Sequence, residues 1–199
     1  MATLFVDKID PQSGTSLEVG SSGDTITIPS GCTLTNSGTA TGFGGITMAD
    51  QWRWTADFTG NAFPITSNWE RNDTSFDKIG TGMTESSGIF TFPQTGIYRI
   101  DFWTALSLNS NSKYSQLTIR LSTDGGSNYS SNAINYTHIS RNTGETTYAS
   151  LMANTIIDVT DTSNFKVQFH IGHHDTNTNV RGDTTASQNA TTFIRLGDT

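Results

Sequence analysis

Between Gly88 and Leu106 apolar and polar residues alternate almost without a break, and Pro93-Gln94-Thr95-Gly96 interrupts the pattern once. Ile97, Arg99, Asp101 and Trp103 fall on one side of a period-two repeat, and Tyr98, Ile100, Phe102 and Thr104 on the other. Side chains repeat every second residue only in an extended chain, so the stretch reads as two strands flanking a reversal. Proline has no N–H to give a ladder and glycine accepts positive φ, which places that reversal at residues 93–96. Large residues on both faces of the second strand predict a central, well-covered position in its sheet.

The same strand signal recurs downstream, separated by polar turns. Gln51–Phe58 puts Trp52, Trp54, Ala56 and Phe58 on one face, opposite Gln51, Arg53, Thr55 and Asp57. Two tryptophans on one face predict core or subunit interface. Residues 60–64 and 67–73 read as loops leading into a strand at Phe76. Charged residues make up 15% of the 199, with Ser, Thr, Asn and Gly filling much of the remainder, a composition of β structure with many polar turns and not of a helical enzyme. A net charge of −7 without clustered Lys and Arg argues against nucleic-acid binding. Cys32 stands alone, which excludes an intrachain disulfide framework and a cysteine-rich zinc site. No run approaches the roughly 20 apolar residues of a membrane helix. The sequons at Asn72, Asn128, Asn135 and Asn189 read as incidental, since the first residues hold too short an apolar run for a secretory leader.

Residues 75–80 (Ser-Phe-Asp-Lys-Ile-Gly) and 87–100 (Ser-Gly-Ile-Phe-Thr-Phe-Pro-Gln-Thr-Gly-Ile-Tyr-Arg-Ile) resemble the signature of the complement one-q globular head, a jelly roll shared with the tumour necrosis factors. Residues 117–126, 149–152, 161–169 and 191–196 are similar to later strands of that family in the same order, so the resemblance spans about residues 47–197. It implies a ten-strand jelly roll and a homotrimer. Asp161-Thr162-Ser163-Asn164 stands where the family has a Gly-Asp turn, so no ligand site in that loop carries over.

Residues 1–45 differ from the rest. Glycines at 14, 20, 23, 31, 38, 42, 44 and 45 separate short pieces, residues 17–19, 25–29 and 32–35, each with one or two aliphatic side chains. Such strands cannot build a core alone. They predict either a Gly-rich β-prism whose axial core three chains share, or an extended flexible arm. Residues 2–9 (Ala-Thr-Leu-Phe-Val-Asp-Lys-Ile), 13–15 and 23–31 also resemble the opening of short tail-fibre-type proteins of marine bacteriophages. That resemblance implies an anchoring role for Leu4, Phe5, Val6 and Ile9. Surface-like composition without an export signal also fits a virus assembled in the cytoplasm. The expected division is an anchoring and trimerising segment, 1–45, and a jelly-roll head, 46–199.

Catalytic groupings are weak. His170, His173, His174 and Asp175 form the best metal-like cluster, but a strand divides them between two faces, and no metal or cofactor is expected. Paired carboxylates in a glycosidase context and a nucleophile elbow are both missing, so no catalytic residue is expected. Arg181-Gly182-Asp183 spells an adhesion tripeptide at chance frequency in a polar loop. Binding is expected at polar loops of the head, through Asp124, Asn128 and Tyr129 and through His173, His174, Asp175 and Asn177. The sequence therefore predicts a non-enzymatic virion protein. The leading form is a short trimeric tail fibre or spike with a host-facing head, partnered by itself, by other tail or capsid proteins and by host surface glycan. A capsid decoration protein and a non-viral carbohydrate-binding module are the alternatives.

Overall fold

The computed structural model describes residues 9–37, 45–141 and 144–199. Leu4, Phe5 and Val6 lie outside the described residues. The chain separates into two units, Met1–Phe43 and Gly44–Thr199.

In the first unit residues 9–37 form no strand. Two tight turns shape them. The Asp24 amide donates to the Ser21 carbonyl at 2.9 Å while the Asp24 carboxylate accepts from the Ser21 amide at 2.7 Å, and the Cys32 amide donates to the Pro29 carbonyl at 3.1 Å. Ile9, Leu17, Val19, Ile26, Ile28 and Leu34 are all exposed. The strands expected at 17–19, 25–29 and 32–35 are thus not formed within one chain. Isolated short strands lack both ladder partners and apolar cover.

The second unit is all-β, with no helix among the described residues. Its thirteen strands are β1 (Ala49–Trp54), β2 (Ala56–Thr59), β3 (Trp69–Arg71), β4 (Lys78–Ile79), β5 (Thr84–Ser86), β6 (Ile89–Thr91), β7 (Gly96–Leu108), β8 (Ser112–Ser122), β9 (Ser130–Ile139), β10 (Thr147–Val159), β11 (Lys166–His173), β12 (Asn179–Asp183) and β13 (Asn189–Gly197). They form two sheets of a β-sandwich. The larger runs β2-β12-β7-β13-β1-β3, with β10 also on β7 and β4 on β1; the smaller runs β5-β6-β11-β8-β9. All named pairings are antiparallel.

The alternating stretch occupies the position its pattern requires. β7 is bordered by β10 along its whole length and by β13 and β12 on its other edge. Tyr98, Ile100, Phe102 and Leu106 are fully buried between the sheets, whereas Arg99 is exposed and Trp103 half-buried outside. The strands on either side of the reversal do not pair with each other. β6 hydrogen-bonds to β5 and β11 and β7 to the other sheet, so residues 92–95 carry the chain across the sandwich. Tyr98 closes that crossing, its hydroxyl donating to the Gln94 carbonyl at 2.9 Å and its ring 4.8 Å from Phe92. At the centre, ring centroids of Phe102 and Phe169 are 4.7 Å apart, of Phe90 and Phe169 5.3 Å, and of Trp69 and Phe90 5.0 Å. These edge-on and tilted contacts are favoured by the ring quadrupoles.

Three expectations are corrected. The first strand ends at Trp54 and restarts at Ala56, because the Thr55 amide leaves the ladder to donate to the Asn68 carbonyl. Arg53, placed by parity on a polar outer face, is only 1% exposed. The segment after β3 folds over it, so its guanidinium donates to Glu70 and Asp73 at 3.0 Å, to Thr74 at 3.1 Å and to the Thr184 carbonyl. Phe76 is in no strand and is exposed, while Trp69–Arg71, read as loop, pairs with β1.

Candidate binding surface

The sandwich divides the expected binding residues between its two ends. Asp124, Asn128 and Tyr129 belong to the turn after β8. There the Asp124 carboxylate accepts from the Asn128 amide at 2.9 Å, the Asn128 side chain at 2.7 Å and the Ser122 hydroxyl at 2.7 Å. Those bonds, the Asn128 amide foremost, hold its carboxyl at about 2. The turn before β11 meets this one through the Gly125 amide and the Asn164 carbonyl at 3.0 Å.

At the opposite end Asp175 accepts from the Asn177 amide at 2.9 Å and side chain at 3.0 Å, a self-contained turn that lowers its pKa. Neighbouring loops join it: the Asp175 amide reaches the Ser112 hydroxyl at 3.3 Å, and the Arg141 amide reaches Asn111 at 2.6 Å. Between the two ends lies β8, 11 residues long, or about 35 Å of strand. No single loop site unites the seven residues.

The histidines also separate. His173 points inward, 4% exposed, with Nδ1 2.8 Å from the Ser115 hydroxyl and Nε2 without a partner; it is not a surface contact. Burial pushes its pKa down to about 4, and burial followed by the Arg120 charge does the same to His170. His174 stays exposed, its ring 6.0 Å from Tyr114. Among the described residues no group of three or more His, Cys, Asp and Glu side chains is placed to hold a metal ion. The shifted groups are all driven towards one state at neutral pH, the carboxylates ionised and the two imidazoles neutral.

What connects the two ends is the outer face of β8, β9 and β11. Period-two parity puts Tyr114, Gln116, Thr118 and Arg120 of β8 on it, beside Ile134 and Tyr136 of β9 and Gln168, His170 and Gly172 of β11. Tyr114 and Tyr136 are 43% and 58% exposed, with ring centroids 6.3 Å apart. Sequence reasoning missed this face because it is assembled from strands far apart in the chain. The clue was Gln116 to Arg120 alternating polar with apolar, as a strand covered on one side does.

Arg181-Gly182-Asp183 is part of β12 rather than a loop tip. Arg181 pairs with Asp57 at 2.5 Å and Asp183 caps the amides of Thr185 and Ala186, so the tripeptide is tied into the fold. Asn189, within a sequon, is fully buried and bonds the Trp54 amide at 2.8 Å and the Arg181 carbonyl at 2.8 Å. No protein-family model matches this chain, and no curated protein is significantly similar to it in sequence.

Proposed function

We propose that this chain is a bacteriophage virion structural protein, a short homotrimeric tail fibre or spike whose first unit anchors it and whose jelly-roll head faces the host. The observation that carries the reading is apolar surface the single chain leaves uncovered in both units. On β10, Tyr148, Met152 and Ile156 alternate outward at 67%, 41% and 63% exposure, and Met152 lies beside Trp103 of β7. A row of this kind marks a protein contact, and further copies of the chain can cover it. In the first unit the exposed aliphatic side chains at 17, 19, 26, 28 and 34 call for the same, from two other chains or from a neighbouring virion protein. Passage of the chain between sheets at residues 92–95, with antiparallel pairing throughout, supports the jelly-roll reading.

The head acts by binding without turnover. Three copies per trimer and many trimers per particle raise the strength of attachment by roughly 10²–10⁴ over one head, since later contacts become intramolecular. No helix among the described residues is long and apolar enough to cross a membrane. The unpaired course of residues 9–37 favours one second reading, a capsid decoration protein whose arm lies along the shell. Adding purified protein to host cells before challenge with the parent phage separates the two. Protection supports the fibre; absence of cell binding, with the protein found at a regular lattice position in a map of the capsid, supports decoration instead.

A further inference from the structure

We propose that the outer face of the β8, β9 and β11 layer binds an acidic polysaccharide, its sugar rings against Tyr114 and Tyr136 and its carboxylates towards Arg120 and Lys166. The proposal deepens the host-attachment reading and rests on it. Charge distribution is the first ground. The chain has 18 acidic and 11 basic residues, yet β8, β9 and β11 contain no Asp or Glu at all. Two of the three Lys and Arg side chains of these strands are met by neutral groups: Arg120 donates to the Tyr129 carbonyl and Lys166 to the Thr162 carbonyl at 2.8 Å. Arg120 Nε is buried without a partner. The acids at the two ends, Asp124 and Asp175, accept from their own loops. An anionic chain laid along β8 therefore meets the two tyrosines towards one end of the strand and positive charge towards the other, where Lys166 pairs with Ser122, and no carboxylate on the strands between.

Shape and side-chain chemistry narrow the class of anion. The two tyrosine rings expose apolar faces to which the C–H side of a sugar can stack, with phenol groups left for its hydroxyls. Gln116 is oriented by donating to the Thr118 hydroxyl at 2.8 Å, which leaves its amide oxygen to accept from a ligand. On the β11 side of Gln116, Gly172 makes room for the Phe63 ring, which lies over it; a Cβ there would come within 2.8 Å of that ring. A nucleic acid needs more cations than this face offers, since each neutralised phosphate takes a Lys or Arg. The other exposed apolar side chains here are Ile134, at 46%, and Phe63, at 60%, whose ring lies over Gly172.

Affinity electrophoresis of the purified full-length protein through gels containing polygalacturonate or dextran tests the idea. Polygalacturonate should retard the wild type, less so as salt is raised, and dextran should not. Tyr136→Ala and Tyr114→Ala should each weaken retardation by about tenfold or more, the size of one lost stacking contact. Lys166→Gln should weaken it and flatten the salt dependence, and Phe76→Ala, off this face, should behave as wild type. Circular dichroism and light scattering confirm that each variant keeps its fold and assembly. Wild-type mobility unaltered by polygalacturonate, equal retardation by dextran, or a Tyr136→Ala protein that binds as the wild type would each overturn the proposal. The virion reading is tested on particles and cells, so either can fail without the other.

Discussion

At the scale of residues, the fold spends its polar groups inside as well as out. Asp50 is fully buried, yet it accepts from the Trp52 indole at 2.9 Å, from Arg71 at 2.9 Å and from the Met83 amide at 2.7 Å. With the partners present, the desolvation of the carboxylate is offset. His173 has no such full set. Its folded pKa lies near 4 against an ordinary 6.5, as does that of His170, so the unfolded chain binds more protons between those values. Stability is therefore expected to fall as pH drops from 6.5 towards 4, with the loss complete below 4. Asp124 and Asp183, held near 2, act in a lower window: their contribution is present above the ordinary 3.8 and is lost as pH falls towards 2. Thermal unfolding followed from pH 7.5 to 4 should show the first decline, and His173→Asn, which keeps a partner for Ser115, should reduce it. A midpoint unchanged over that range would mean the imidazoles are not buried as described.

The element on which most depends is the crossing between β6 and β7. Gly96 has φ of +143°, and a Cβ there would meet the Arg195 side chain and come within 2.5 Å of the Gly197 carbonyl. Gly96→Val should therefore destabilise the head through both backbone strain and collision. Phe102→Ala removes a ring at the sandwich centre and should cost about 3–5 kcal/mol in chemical denaturation. A cost within error would show that β7 presents its other face to the core. Alternation made this element legible, because a strand's two faces are written in adjacent residues. Its sheet membership was not legible. A reversal reads the same whether the chain returns to its own sheet or enters the opposite one.

At the scale of the whole molecule, the uncovered apolar rows set the expectation. Light scattering of the full chain should give about three times 21.5 kDa, and charges placed on the β10 row, as in Tyr148→Lys with Ile156→Lys, should lower that mass while leaving the β-sheet spectrum unchanged. A monomer in the wild type would remove the ground for a trimeric fibre. The binding loops show the limit of sequence at this scale. Composition alone marked Asp124 to Asn128 and Asp175 to Asn179 as polar turns, and all but Asn179, the first residue of β12, lie outside the strands, but their placement at opposite ends follows from the direction of β8 and β11.

By itself the sequence determined the all-β class, the division of β7 into two faces with Tyr98, Ile100 and Phe102 sharing one of them, and the positions of the main turns. Each depends on local chemistry: a period of two, a proline without an N–H, a glycine free to take positive φ. Only the tertiary structure decided that Arg53 and His173 are interior, that the Arg-Gly-Asp tripeptide lies in a strand, and that Tyr114, Tyr136 and Arg120 share one face without a carboxylate. Burial on the second side of a strand, and the company a side chain keeps across a sheet, depend on segments remote in the chain. No pattern read along one strand contains them.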